Sequence, residues 1–517
     1  RNSDWGTAAY YVYDNETSRT EKAELGDLTP RYSSAESRPP AGLEAAWFGN
    51  RLAVIASPES VGENGVEAQS ASTARPDWYL LGDERQVNLT QLFEPGLPEL
   101  VSASEHGGVF LHSGKAWLVD GTGKPRDIAP SLDTQLAPWP DDPYLPRQAQ
   151  TSGTVILQTR NEDAGSRLLF VDLETGDVDT VRASSAHARF AAASPRRRLA
   201  AIVEPVGNAS LLSIASAGTE QQPVAKINTH LDAVRGGTPQ RIDHDGPDGS
   251  PRHSWILLPP GYRKDSRLPT IVNVYPGRVG GTSFRLHTLD RVSALNDHLI
   301  AARGYAVLYP SLSSEPGPGL RDPIENLERD VFVAVDAAVA AGYVDADRLA
   351  VQGQSYGGYA AAALIGRTNR FKAAVASAGI YNLISFYGVF DPRAWQHVER
   401  RGLRMFGVSW LETGLGHIGE PPWRAPERYL RNSPLMHIES VTTPVMLIHG
   451  DRDFVSITQA EEYFTALKRL NKKAMFVRYI GEGHVPYSPA NMRDLWQRLY
   501  GWFEEHLGAP YPVLREP

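Results

Sequence analysis

The sequence predicts two domains of different class: an all-β region over residues 1–235 and a doubly wound α/β domain with a mostly parallel sheet over residues 236–517. Three observations carry this expectation. The chain has 517 residues, more than one hydrophobic core ordinarily organises. Its first half reads as short strands interrupted by turn residues. Its second half reads as continuous apolar strands alternating with helical stretches, the pattern of parallel strands buried on both faces.

In the first half, Ala8-Ala9-Tyr10-Tyr11-Val12-Tyr13 is the first candidate strand. Arg51-Leu52-Ala53-Val54-Ile55 follows a Gly49-Asn50 turn, Trp78-Tyr79-Leu80-Leu81 runs into Gly82-Asp83, and Ala116-Trp117-Leu118-Val119 meets Asp120-Gly121. The clearest hairpin joins Leu169-Phe170-Val171-Asp172-Leu173 to residues 178–181 through Glu174-Thr175-Gly176-Asp177. Ser194-Pro195 followed by Leu199-Ala200-Ala201-Ile202-Val203 repeats the theme of a turn feeding a buried strand. Hairpins recur irregularly, roughly every 35–50 residues, which suits β-propeller blades better than a compact sandwich. The region is short for a full propeller, so a short or incomplete one is expected, with a generic β domain as the alternative.

In the second half the expected strands are 254–258, 270–275, 305–309, 349–352, 373–378, 445–449 and 475–479, with helices over 324–341, 457–470 and 493–506. In the first helix Val331, Val333, Ala334, Val335 and Ala338 give the close apolar spacing of a helix pressed on a sheet.

Composition narrows the function. Hydrophobic residues make up 41% and charged residues 22%, a globular balance. No run of about 18 apolar residues is present, so no membrane span is expected. The net charge of -8 is spread along the chain without a basic block, which argues against nucleic acid as partner. Arg196-Arg197-Arg198 reads as a solvated turn. The absence of cysteine removes disulfides, thiolate catalysis and cysteine metal sites together. No metal cluster or phosphate-cradling loop is found, so neither metal nor cofactor is expected. Nothing in the sequence indicates an oligomeric state.

The strongest signal is Gly353-Gln354-Ser355-Tyr356-Gly357-Gly358. It has the G-x-S-x-G form, directly follows the strand Leu349-Ala350-Val351-Gln352 and precedes a helix-compatible run, residues 359–365. This is the nucleophile elbow of an α/β hydrolase. Ser355 must sit on a tight, strained turn so that its hydroxyl stands clear of the sheet. Side chains two residues before or after would collide with the neighbouring strand or helix, hence Gly353 and Gly357. The helix that follows aims its positive end at developing negative charge.

A serine hydroxyl needs a base, and in this fold an acid and then a histidine follow in the chain, each on a loop after a strand. The strand 445–449 opens into Gly450-Asp451-Arg452-Asp453, and the strand 475–479 opens into Ile480-Gly481-Glu482-Gly483-His484. His484 is the expected general base. Asp451 and Asp453 both lie on the right loop, and spacing alone does not choose between them; either also suits a cap for the helix near Ile457. His449, at a strand end, suits a hydrogen-bonded structural role. The backbone N–H of Tyr356 is the expected first oxyanion donor.

With Ser254-Trp255-Ile256-Leu257-Leu258-Pro259-Pro260-Gly261, Asn273-Val274-Tyr275-Pro276-Gly277, Gly353 to Gly358, Asn432-Ser433-Pro434-Leu435, His449-Gly450-Asp451-Arg452-Asp453 and Gly483-His484 in view, the region from Thr238 to Gly508 resembles the prolyl oligopeptidase family of serine peptidases. The resemblance implies that the acid is Asp453, at the fifth position of H-G-x-x-D, and that the Tyr275 hydroxyl is a second oxyanion donor. It also implies an N-terminal propeller that restricts entry to peptides. Within the family the chain is similar to bacterial isopeptidases that open lasso peptides, through Ile227-Asn228-Thr229-His230-Leu231, Arg241-Ile242-Asp243-His244-Asp245-Gly246-Pro247 and Trp410-Leu411-Glu412-Thr413-Gly414-Leu415-Gly416. That likeness implies a threaded macrolactam as substrate, cut at its isopeptide bond.

The segment 385–429 holds Phe386, Tyr387, Phe390, Trp395, Phe406, Trp410 and Trp423. It reads either as a pocket wall, with Trp395, Trp410 and Trp423 as candidate substrate contacts, or as a helical cap with buried aromatics. Competing functions are an exo- or oligopeptidase of dipeptidyl or acylaminoacyl type acting on short linear peptides, an esterase, and a non-catalytic peptide-binding protein. Against the esterase, Tyr275-Pro276-Gly277 stands where a lipase carries a His-Gly-Gly-Gly loop. The compartment expected is bacterial periplasm or cytoplasm, tilted toward periplasm because the sequence opens on Arg1 and not Met.

Overall fold

The computed structural model describes residues 11–14, 19–30, 45–58, 76–82, 85–93, 96–130, 135–139, 153–159, 166–185, 188–264, 266–277, 289, 293–312, 322, 324, 326–389, 406–412 and 414–512. The chain divides into two compact units, Arg1–Asp232 and Ala233–Pro517.

The first unit is all β among its described residues, apart from a short 3-10 turn at Thr229–Ala233. After a two-stranded pair, Tyr11–Asp14 with Arg19–Lys22, come four antiparallel sheets in chain order. The first has five strands between Leu28 and Asn88. The second contains Glu99–Ser104, Gly107–His112, Lys115–Val119 and Pro125–Asp127; the third contains Leu136–Pro138, Thr154–Thr159, Arg167–Asp172 and Val178–Arg182. The fourth contains Arg189–Ser194, Leu199–Val206, Ala209–Ser216 and Gln222–Ile227. In each of the last three, every strand pairs with its neighbour in sequence.

Period-two alternation explains why these strands read as apolar runs. In the third sheet Val155, Leu157, Leu169 and Val171 pack toward the second sheet, with Val109, Leu111, Ala116 and Leu118. Their neighbours Ile156, Leu168 and Phe170 pack toward the fourth, with Ala200, Ile202 and Ala215. Phe110 and Val119 on the other face of the second sheet meet Ile55, Trp78 and Leu80 of the first. Each sheet is thus buried against the next, and among the described residues no such cluster joins the last sheet to the first. The hairpin at Asp172 is fixed by its side chain, whose Oδ1 accepts from the amides of Glu174 and Thr175, each at 3.0 Å. Arg196 to Arg198 lie in a turn. Arg198 reaches from there to Asp172 at 3.0 Å and to Asp179, so it serves as a sheet-edge tie.

The second unit is built on one eight-stranded sheet. Its strands are β1 (Thr238–Asp245), β2 (Pro251–Leu258), β3 (Leu268–Asn273), β4 (Ala306–Tyr309), β5 (Val344–Gln354), β6 (Ala373–Ser377), β7 (Val445–Gly450) and β8 (Ala474–Tyr479). The spatial order is β1-β2-β4-β3-β5-β6-β7-β8, antiparallel at the β1/β2 and β2/β4 junctions and parallel elsewhere. The helices are α1 (His298–Ala301), α2 (Leu327–Ala340), α3 (Tyr356–Ile365), α4 (Leu383–Tyr387), α5 (Phe406–Glu412), α6 (Pro426–Asn432), α7 (Thr458–Arg469) and α8 (Pro489–Leu507). Leu349, Val351, Ala374, Ala376, Val445 and Leu447 face one core with α2, α3 and α7. Ala350, Ala373, Val375, Met446 and Ile448 face the other with α1 and α8. This is the α/β-hydrolase layering, in which the central strands carry no polar face.

Three expectations are adjusted. The edge strand β1 has only Ile242 buried, so it lacks the apolar run that marks its neighbours. Strand β3 ends at Asn273, which leaves Tyr275 on the loop beyond it. Helix α8 starts four residues earlier than the hydrophobic spacing suggested, at Ser488-Pro489, where Pro occupies the first helical position. In the aromatic segment, Phe386, Trp410 and Tyr429 belong to the buried core, in keeping with a helical cap. Phe390 and Trp395 lie outside the described residues.

Candidate active site

The elbow is where β5 turns into α3. Ser355 has φ 61° and ψ −121°, a left-handed backbone that a non-glycine residue adopts only under constraint. The constraint is visible on both sides. The Ser355 amide donates to the Ser377 carbonyl on β6 at 2.8 Å, and the Tyr359 amide donates to the Ser355 carbonyl at 3.0 Å. A Cβ on Gly353 would lie 2.1 Å from the Gly357 carbonyl oxygen, and one on Gly357 would lie 2.3 Å from the Val274 carbonyl oxygen. Both distances are far inside contact, so the turn closes only with glycine at each position. All ten residues of α3 are buried, which makes it a rigid central helix rather than a surface one.

The acid and the histidine come from the loops after β7 and β8. His484 Nδ1 lies 2.8 Å from Oδ1 and 2.9 Å from Oδ2 of Asp453. Asp453 is 1% exposed, and its Oδ1 also accepts from the Val455 amide at 3.0 Å. Asp451, the other carboxylate of the loop, instead accepts from the Gly481 amide at 2.7 Å and so ties the two loops together. Of the two carboxylates, Asp453 is the one in contact with His484. The His484 ring keeps 23% of its side-chain surface open and lies against Phe454, with centroids 4.3 Å apart at 37°.

The elbow is tethered to the histidine loop by Gln354, whose Nε2 donates to the His484 carbonyl at 3.0 Å. Among the described residues no hydrogen bond joins the Ser355 hydroxyl to His484. Such bonds are commonly long in the absence of substrate and close in the complex.

Glu482 was not anticipated as part of the site. It is buried, and its carboxylate collects the amides of Tyr487 (2.8 Å) and Ser488 (3.0 Å), the Asn491 side chain (2.7 Å) and the Ser488 hydroxyl. Burial works against the charge, but those donors outweigh it and hold the carboxyl down at about 2. It stands as an anion at the start of α8, two residues before His484, and its backbone carbonyl takes the Arg452 amide at 2.9 Å. The loop bearing the histidine is thus pinned at both ends. A charge held this low stabilises the fold fully above the ordinary glutamate range, near 4.5, and loses that contribution as pH falls toward about 2. We expect Glu482→Gln to lower the thermal midpoint at neutral pH, with the difference from wild type shrinking to nothing as pH drops from about 4.5 to about 2. Melting curves across that window check this; a pH-independent difference would contradict it.

Tyr275 packs at the end of β3, its ring edge-on to Tyr356 with centroids 6.3 Å apart. Trp410 is buried behind Tyr356, with centroids 5.2 Å apart, so it supports that residue from the core side. Trp423 is 72% exposed and meets Tyr387 edge-on at 5.6 Å. Trp395 lies outside the described residues; of the two candidate tryptophans that are described, Trp423 presents a broad open face and Trp410 does not. A cavity of about 190 Å³ lies beside the site, lined by Tyr275, Gln352, Gly353, Gln354, Val485 and Pro486 among others. Asp297 sits in its wall and accepts from Asn273 (2.7 Å), Tyr309 (2.8 Å) and Gln352 (3.1 Å). Among the described residues no group of three His, Asp or Glu is placed to hold a metal.

Residues 292–510 match the model of the prolyl oligopeptidase family. A Bacillus subtilis protein described as the uncharacterized peptidase YuxL is 28% identical over 422 residues, covering 76% of this chain and 59% of its own length. Dipeptidyl-peptidase 5 of Porphyromonas gingivalis is 28% identical over 277 residues, 50% of this chain and 36% of its own length. The chain thus spans less than two thirds of these relatives. Among solved structures, Porphyromonas gingivalis dipeptidyl peptidase 4 superposes with a TM-score of 0.60 at 17% identity, over 96% of this chain and 67% of that one. Pyrococcus horikoshii acylaminoacyl peptidase does so with a TM-score of 0.55 at 18% identity, over 98% and 75%. These likenesses show the fold: an α/β-hydrolase domain preceded by a β domain.

Proposed function

We propose that this chain, which matches the prolyl oligopeptidase family through residues 292–510, is a serine peptidase acting on short linear peptides, of the dipeptidyl or acylaminoacyl type. The observation that carries the reading is the contact of His484 Nδ1 with both oxygens of Asp453, on a loop that Gln354 binds to the Ser355 elbow. Ser355 Oγ attacks the scissile carbonyl while His484 takes its proton, and Asp453 holds the imidazole tautomer and balances the imidazolium. The tetrahedral oxyanion is received by the Tyr356 amide and the Tyr275 hydroxyl. His484 then protonates the departing amine, and water resolves the acyl-enzyme by the reverse sequence.

The choice of linear peptides draws on the relatives, which include a dipeptidyl-peptidase and an acylamino-acid-releasing enzyme. The isopeptidase expectation rests on residues away from the chemistry: Arg241 to Asp245 form the edge strand β1, and Trp410 is a core residue. None of the relatives named here speaks for it. The sheets of the first unit, each packed face to face on the next, support reading that unit as a set of propeller blades.

The test has two stages. A fluorophosphonate probe is expected to label the protein, and Ser355→Ala to abolish labelling; a labelled alanine variant would show that Ser355 is not the nucleophile. Linear peptides with free and acylated N-termini, and a lasso peptide in threaded and unthreaded form, are then incubated with the protein and weighed. Release of dipeptides or acylated residues supports the reading. Gain of one water by the threaded peptide alone would replace it with the isopeptidase.

A further inference from the structure

We propose that His449, outside the triad, is a positioning residue of the same site: a permanently neutral imidazole that holds Asp453 without sharing its charge. The proposal rests on the roles given above to Ser355, Asp453 and His484. His449 lies on β7 next to its final residue, and its side chain is wholly buried. Its Nε2 is 2.8 Å from the Val455 carbonyl oxygen and 3.4 Å from Asp453 Oδ2.

The partners fix the tautomer. A carbonyl oxygen only accepts, so Nε2 must carry a hydrogen, and the same N–H leans on Asp453 as a second, weaker acceptor. Nδ1 is buried and, among the described residues, has no hydrogen-bond partner. A proton there would be an unsatisfied buried donor as well as a buried charge, and both are costly. The charged and titratable groups around the ring are Asp453, His484 and Glu461 of α7; Glu461 is itself paired at 3.2 Å with Arg478, the register partner of His449 on β8. Burial lowers the His449 pKa, the Asp453 charge pulls the other way, and the net direction is downward. The ring is therefore an N–H donor and not a cation.

Asp453 then sits between two imidazoles of unequal role. The Val455 amide and His449 orient it, and its whole negative charge remains for His484, the only one of the two that becomes cationic when it takes the serine proton. A charged His449 would divide that field and lower the basicity of His484. A merely apolar ring would leave the carboxylate free to turn.

Two measurements test this. In protein labelled with [15N]histidine, the His449 resonances, identified by their loss in His449→Asn, are expected to show a hydrogen on Nε2, none on Nδ1, and no titration from about pH 5 to 9. A protonated Nδ1, or titration in that range, overturns the proposal and needs no activity. In the second, the rate of fluorophosphonate labelling is followed against pH. His449→Leu is expected to label roughly ten-fold to a hundred-fold more slowly. Its acid limb should move to lower pH, because an Asp453 carboxylate free to turn holds the His484 proton less firmly. His449→Asn, which restores N–H donors, is expected to recover most of the rate. A leucine variant with wild-type rate and wild-type limb refutes the role; if it fails to fold, the asparagine variant and the wild-type resonances still decide. Wild-type protein that does not label at all would instead overturn the peptidase reading, with the tautomer result standing on its own.

Discussion

Asp453→Asn is expected to slow turnover by about 10⁴-fold, while the protein keeps its fold and its binding surface. The amide is nearly isosteric with the carboxylate, so the loop is preserved. An amide nitrogen toward His484 Nδ1 favours the wrong tautomer, and no negative charge remains to balance the imidazolium. The paired control is Asp451→Asn. That residue contacts the Gly481 amide and not the histidine, so labelling near the wild-type rate is expected. Rates of fluorophosphonate labelling for the two variants, each checked for folding by circular dichroism, give the comparison. Equal losses would mean that the acid has been placed on the wrong residue of the loop.

Gly357→Ala is expected to have the second largest effect. Its new methyl would stand 2.3 Å from the Val274 carbonyl oxygen and 3.3 Å from the Tyr275 ring. The first atom is backbone of the loop end that positions Tyr275, so no side-chain rotation relieves the clash. Over-packing of this kind costs about 1–3 kcal/mol. The relaxation moves the end of β3 away from the elbow and carries the Tyr275 hydroxyl with it, so labelling falls along with the melting temperature. Gly483→Ala is the contrast: a Cβ there meets nothing within 4 Å, although it adjoins His484. Differential scanning fluorimetry and labelling of both variants check the pair. Equal tolerance of the two alanines would show that the elbow is not packed as described.

The α/β half was legible because its central strands are buried on both faces, which leaves unbroken apolar runs such as Val445-Met446-Leu447-Ile448. The same physics hid β1: an edge strand with one buried side chain has no signature in composition. The elbow was legible because its steric demands act on neighbours in sequence, so Gly353 and Gly357 record them directly. Glu482 and Gln354 were not, since each acts on groups brought close only by folding, the start of α8 and the His484 carbonyl. Asp451 and Asp453 are alternatives that spacing cannot rank, because both leave the same short loop and only its folded course turns one toward the Gly481 amide and the other toward His484. The β half is legible as strands and turns, and in its last three sheets the pairing order follows adjacency in sequence; the pattern alone carries no number of sheets.

The alternating faces of that β half have a mechanical consequence. Among the described residues each inner sheet is shared by two apolar clusters and each terminal sheet by one, so cohesion runs along the stack as nearest-neighbour couplings. Under denaturant or protease the array should fray from its ends, shedding the sheet that ends at Ile227 before the one centred on Leu169 is loosened. A polar residue at Ile156 would sever a single junction, whereas one at Ala53 would weaken only the opening link of the series.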